Sequence, residues 1–237
     1  MEKYGIGQPV RRKEDVRFLT GKGTYIDDIA RENLAHAVVL RSPHAHAKIL
    51  ALDTSEAETM PGVLAIISAK DWVAEDFQPM PTKSVVNTKI DGTPLNQPPR
   101  HCLAIDRARY VGEPVALIVA ETPEQARDAA EVIEVDYEEL DAVTDQVKAL
   151  EPGAPQIWDD IEGNFCLDFE LGDKEGTEKA FAGAPHVVTL ELRNNRVTSV
   201  PIEPRGAIAE YDQTNGTYQL HNATQNVHAN RATFADV

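Results

Sequence analysis

Apolar and polar positions are arranged along this chain in runs that predict its elements one after another. From Pro114 to Ala120 every residue is apolar or proline, and Glu121-Thr122-Pro123-Glu124-Gln125 follows at once. Such a run reads as a buried strand; Thr122 then suits a helix N-cap, Pro123 the first helical position, and Gln125 the returning partner of a capping box. Ala126, Ala129, Ala130 and Val132-Ile133 recur at helical spacing, after which Ile133, Val135 and Tyr137 alternate with Glu134, Asp136 and Glu138. That switch of period predicts strand, helix and a second strand with one wet face. Upstream, similar patterning predicts strands at residues 34–40, 48–52 and 63–68, with a short helix after Asp53-Thr54. The expected fold is α+β, with helices covering one side of a mixed sheet.

Breaker residues divide the rest. Pro79, Pro81, Gly92, Pro94, Pro98 and Pro99 mark residues 78–100 as a long loop, and a loop of that length is often functional or an interface. Pro152-Gly153, Pro155 and Gly163 place a domain boundary within residues 150–164. Beyond it, strands are expected at residues 165–171 and 186–192. Residues 206–212 and 217–224 face each other across Asn215-Gly216, which predicts a hairpin with a type I′ turn. Residues 227–237 read as a helix without a terminating Gly, Asn or Pro, the pattern expected of a piece of a longer protein.

Composition narrows the function classes. Of 237 residues, 42% are hydrophobic, yet no window approaches the ~20 apolar residues that a membrane-spanning helix requires. The first residues, Met1-Glu2-Lys3-Tyr4-Gly5-Ile6, lack the apolar core of a secretory signal, so the chain reads as cytoplasmic. A formal net charge of -16 argues against nucleic-acid binding, which needs a basic face. Arg11-Arg12-Lys13 is offset by Glu14 and Asp15. Cys102 and Cys166 stand far apart and flank neither a CxxC nor a histidine cluster, so buried free thiols are expected.

Candidate chemistry is sparse. His44 and His46 would share a face if their segment were extended, and Asp27-Asp28 or His36 could approach in space, but two histidines do not make a metal site. Gly5-Ile6-Gly7 and Gly21-Lys22-Gly23 follow no strand and open no helix, so they read as turns. The serines lack a nucleophile-elbow context. In Val200-Pro201-Ile202-Glu203-Pro204-Arg205-Gly206, two prolines fix the backbone around a carboxylate and a guanidinium. Glu203 and Arg205 read equally as a functional pair and as a structural ion pair. Gln225 closes the second hairpin strand just before a helix, where a carboxamide offers both donor and acceptor to a ligand.

Seven segments carry a family resemblance. They are Glu14-Asp15-Val16-Arg17-Phe18-Leu19-Thr20-Gly21, Gly23-Thr24-Tyr25-Ile26-Asp27-Asp28, Arg41-Ser42-Pro43-His44-Ala45-His46-Ala47, Met60-Pro61-Gly62-Val63, Tyr110-Val111-Gly112-Glu113-Pro114-Val115-Ala116, Glu203-Pro204-Arg205-Gly206 and Thr224-Gln225-Asn226. In this order they resemble the molybdenum-binding large subunit of the xanthine dehydrogenase, aldehyde oxidase and aerobic carbon monoxide dehydrogenase family, and most of all its carbon monoxide dehydrogenase-like branch. The resemblance implies an N-terminal arm (1–19), an α/β hammerhead domain (20–145), a connecting segment (146–185) and the start of a molybdopterin-binding domain (186–237). It implies a molybdenum-molybdopterin cofactor, an iron-sulfur small subunit and an FAD-binding medium subunit as partners, and a dimer of heterotrimers. It also implies that Gln225 approaches the molybdenum centre, with Glu203 and Arg205 supporting the neighbouring core. The family's catalytic glutamate lies downstream, so no catalytic residue or metal ligand is expected within these residues, and the isolated piece should be inactive. A hammerhead-based assembly protein without catalysis is the alternative, and a metal-dependent hydrolase built on His44, His46 and Asp27-Asp28 a third.

Overall fold

The computed structural model describes residues 7, 9–82, 84, 86–195 and 197–237; the turn expected at Gly5-Ile6 lies outside them. In chain order its elements are α1 (Asp15–Leu19), β1 (His36–Arg41), β2 (Ala47–Asp53), α2 (Ser55–Glu58), β3 (Val63–Ser68), α3 (Ala69–Ala74), β4 (Arg107–Ala108), β5 (Pro114–Ala120), α4 (Pro123–Glu131), β6 (Glu134–Glu139), α5 (Lys174–Gly183), β7 (Ala207–Asp212), β8 (Thr217–Asn222) and α6 (Val227–Ala235). The chain falls into two compact units. One comprises Leu34–Glu191 and His228–Val237; the other comprises the described residues up to Asn33 together with Leu192–Val227.

In the larger unit the apolar run of β5 is the middle strand of a sheet ordered β1-β5-β3, and β2 is the middle of a second, ordered β4-β2-β6. Every pairing is antiparallel. The single mixed sheet expected from the pattern is thus corrected to two antiparallel sheets, with β5 in one and β6 in the other. Alternation fixes which face of a strand is buried but not which strand lies beside it. The burial of β6 follows the sequence: Val135 and Tyr137 turn inward while Glu134, Asp136 and Glu138 face water.

The core forms where α2 and α4 cover the first sheet. Ala57, Ala116, Ile118, Ala120, Ala126, Ala129 and Ile133 are buried together, and Val38, Leu40, Leu52, Met60, Val63 and Ile66 pack around them. Small residues on α4 let the helix lie close to β5. Thr122 Oγ1 accepts the Gln125 N–H at 3.2 Å, so the expected N-cap forms. The other half of the box does not, because the Gln125 side chain is drawn instead over Gly62, whose φ of +82° belongs to the turn into β3.

The 78–100 loop is pinned rather than loose. A bridge joins Met80 to Arg100, the Ile90 N–H donates to Asp168 at 2.8 Å, and the Asn96 amide donates to the Phe165 carbonyl at 2.7 Å. Residues 165–171, expected as a strand, form no ladder; the Phe165 and Cys166 carbonyls bond Asn96 of this loop instead. The strand expected at 186–192 is also absent: no described strand pairs with it. In its place the structure shows α5 just before it, capped by the Asp173 carboxylate, which accepts the Gly176 N–H at 2.8 Å.

Candidate functional site

The smaller unit carries the residues singled out for cofactor chemistry. Its hairpin pairs Ala207 with Asn222 through Asp212 with Thr217, leaving a four-residue loop. Only Gly216 of that loop has positive φ (63°), so the turn is not the type I′ expected from Asn215-Gly216. Asp212 organises it instead: its carboxylate accepts the Thr214 N–H at 2.8 Å, and its carbonyl accepts the Gly216 N–H at 2.8 Å.

Residues 25–31 hold this framework by polar contacts. Glu203 is half-buried, and its Oε1 accepts the Ile26 N–H at 3.0 Å, opening the 3-10 turn Ile26–Asp28. The next backbone N–H upstream, that of Tyr25, donates to Asp28 at 2.8 Å. Farther along, Arg31 Nε donates to Glu210 Oε1 at 2.6 Å, while His221 Nε2 lies 3.3 Å from Glu210 Oε2. The hydrogen bond from Arg31, followed by the charges of Arg31 and His221, holds the Glu210 carboxyl below its ordinary value. Glu210 and His221 sit on opposite strands of the hairpin, so Arg31 ties both strands to the segment that Glu203 anchors.

Between the two readings of Glu203 and Arg205, the structure decides against an ion pair between them. Among the described residues no salt bridge joins the two; Glu203 binds the backbone of Ile26, and Arg205 is exposed. Gln225 lies exposed at a bend after β8, following Thr224, whose Oγ1 accepts the Asn226 N–H at 3.2 Å. Sequence reasoning missed Arg31, Glu210 and His221. Their signal was a lone Arg, Glu and His with no spacing in common, which only the hairpin register brings together.

The histidine cluster behaves differently from its metal reading. A bend at Ala45-His46 breaks the extended geometry on which a shared face depended. His44 Nδ1 lies 3.3 Å from Glu139 and its ring packs on Tyr137, whereas His46, 4% exposed, donates from Nδ1 to the Asp141 carbonyl at 2.8 Å. No group of three or more His, Cys, Asp or Glu side chains able to hold a metal occurs among the described residues. Both cysteines are free, but not buried as expected: Cys102 is half-buried and Cys166 exposed. The Glu113 of the Tyr110-Val111-Gly112-Glu113 turn is structural: its carboxylate accepts the Arg109 N–H and its carbonyl accepts the Ser42 N–H at 2.9 Å. Burial pushes the Glu113 carboxyl above its ordinary value.

Two antiparallel sheets with a helix-covered core, followed by a stretch that holds Glu203, the hairpin and Gln225, define an α+β architecture that known proteins share. Residues 20–141 match the model of the aldehyde oxidase and xanthine dehydrogenase a/b hammerhead domain, and residues 157–237 match that of the molybdopterin cofactor-binding domain. The chain belongs to the aldehyde oxidase and xanthine dehydrogenase family. It is 34% identical to the carbon monoxide dehydrogenase large chain of Afipia carboxidovorans, over 96% of this chain and 28% of that protein. It is 36% identical to the nicotine 6-hydroxylase large subunit of Paenarthrobacter nicotinovorans, over 94% of this chain and 26% of that one. The solved structure of a Cu,Mo-CO dehydrogenase in its carbon monoxide reduced state superimposes with a TM-score of 0.81 at 33% identity, covering 98% of this chain and 29% of that chain. The chain thus spans less than a third of the length of each of these proteins.

Proposed function

We propose that these residues are the N-terminal part of the large subunit of a molybdenum hydroxylase, with residues 20–145 as its hammerhead domain and 186–237 as the opening of its molybdopterin-binding domain. The observation that carries this reading is Gln225: an exposed carboxamide, in a stretch matched by the cofactor-domain model, just after a hairpin that Arg31 and Glu210 tie to the segment Glu203 anchors. A neutral amide fits an oxygen-rich metal centre, because it donates to oxygen without adding negative charge in a chain already at -16. When bound, the molybdenum-molybdopterin group supplies Lewis acidity and an electron sink. Gln225 orients that group through its amide. Glu203 and Arg205 support it, Glu203 by fixing Ile26 and hence the segment 25–31 that Arg31 ties to the hairpin. The general base belongs to residues downstream of this stretch.

In this reading the partners are an iron-sulfur small subunit and an FAD-binding medium subunit, in a dimer of heterotrimers in the cytoplasm. Relatives whose names are large chain and large subunit support a multi-subunit parent. No helix among the described residues is long and apolar enough to cross a membrane. Elemental analysis tests the reading: the longer protein, produced with its partners, carries stoichiometric molybdenum, while the isolated 237 residues carry none. A longer protein without molybdenum contradicts it.

A further inference from the structure

We propose that Arg31 is a positioning residue for Gln225, acting through Glu210 and His221 on the bend that carries it; this rests on the reading of Gln225 as a contact of the molybdenum centre. The hairpin register gives Arg31 that task. Glu210 pairs with Gln219 and His221 with Ile208, so Glu210 and His221 are diagonal neighbours on one face of the hairpin, beside Ile208, which is 7% exposed. Arg31 lies against that face. Its Nε donates to Glu210 Oε1 at 2.6 Å, and its Nη2 lies 3.5 Å from Glu210 Oε2 and 3.4 Å from His221 Nε2. One guanidinium thus holds both strands, a use that suits its planar fork of donors. The Arg31 and Glu210 side chains are 34% and 36% exposed, so solvent screens the pair and its value is geometric more than energetic.

The path from this clamp to Gln225 is short. Asn222, paired with Ala207, ends the ladder of β8; Ala223 and Thr224 follow, and Thr224 Oγ1 accepts the Asn226 N–H at 3.2 Å, closing the bend at Gln225. The other end of the 26–31 segment is fixed as well. Ile26 donates to Glu203, and Gly206 comes so near it that a Cβ there would stand 3.4 Å from Ile26 Cγ2. Residues 26–31 therefore brace the open end of the hairpin, where β7 enters and β8 leaves. Glu203 acts ahead of β7, whereas Arg31 acts on β8 itself, the strand that runs into the Gln225 bend. Without Arg31 the end of β8 is free to shift, and a carboxamide that must meet a ligand oxygen at hydrogen-bond distance tolerates little displacement.

The test uses the longer protein assembled with its partners, and measures hydrogen exchange, the Mo(V) electron paramagnetic resonance spectrum and turnover for Arg31→Ala, Gln225→Ala and the double variant. In Arg31→Ala, peptides covering residues 219–226 are expected to exchange about threefold faster or more, with those of β5 unchanged. Molybdenum content holds, the Mo(V) signal is altered, and turnover falls about tenfold. Because Arg31 acts through Gln225, the double variant turns over no more slowly than Gln225→Ala, whereas independent effects would multiply. Arg31→Lys keeps the charge but not the fork and moves the same readouts by less; it carries the test on the same criteria if Arg31→Ala fails to assemble. Thr122→Ala, the loss of a helix cap in the other unit, leaves exchange at 219–226 and the Mo(V) signal as in the parent. Parental exchange or a parental Mo(V) signal in Arg31→Ala, while Gln225→Ala alters that signal, overturns this proposal alone. So does a double variant slower than Gln225→Ala by the full Arg31→Ala factor. A parental Mo(V) signal in Gln225→Ala overturns the molybdenum reading of Gln225 and this proposal with it.

Discussion

Glu203 makes one charge-assisted hydrogen bond across a sequence separation of 177 residues, and its removal has a definite expected outcome. Glu203→Ala leaves the half-buried Ile26 N–H without its acceptor and should cost about 1–3 kcal/mol, the range for a buried donor left unsatisfied. Hydrogen exchange at the Ile26 amide reports it directly: faster exchange there, with β5 amides unchanged, is the expected pattern. Glu210 supplies a pH test. Because Arg31 and His221 lower its folded-state pKa, its stabilisation is fully present above the unfolded value and is lost as the pH falls through the lowered one. Glu210→Gln should therefore lower stability at neutral and alkaline pH and change little at acid pH, which flattens the acid limb of the stability profile. For Glu113 the sign is opposite: burial raises the folded pKa, so the ionised form opposes folding above that value, and stability gains as the pH falls through it. At this scale the sequence motif singled out Glu203, which the structure shows bound to Ile26, but no local pattern singled out Arg31, Glu210 or His221. A residue's partner across a hairpin depends on register, and no local spacing encodes it.

At the scale of elements, α4 shows local chemistry deciding the outcome. The Thr122 cap formed as its sequence predicts, and Thr122→Ala should lower stability by about 1 kcal/mol. Gly62→Ala should cost more than the cap does. It forces a side chain into a left-handed conformation that costs roughly 1–2 kcal/mol, and a Cβ there would collide with the Gln125 amide. Thermal unfolding of the two variants side by side checks the ranking. Strands β3 and β5 were legible because their apolar runs are long and bounded by breakers. The strand expected at 165–171 was not realised; Asn96 takes the Phe165 and Cys166 carbonyls that a ladder would have used. Likewise the type I′ turn gave way to a loop organised by Asp212, whose side chain satisfies the turn's own N–H groups. Short-range patterns report burial well and competition for backbone hydrogen bonds poorly.

For the whole molecule, the order of the family segments along the chain made the α+β hammerhead architecture and the cofactor-domain stretch readable, and the matches at 20–141 and 157–237 bear them out. Which strands share a sheet was not readable, since both sheets draw strands from distant parts of the chain. The central claim is that Gln225 touches a molybdenum centre in the longer protein. The most direct test compares that protein, assembled with its iron-sulfur and flavin partners, with its Gln225→Ala variant. Elemental analysis and the Mo(V) electron paramagnetic resonance spectrum are measured for both. The account predicts that the variant keeps molybdenum but shows an altered Mo(V) signal and slower turnover; a signal and turnover identical to the parent's would contradict it.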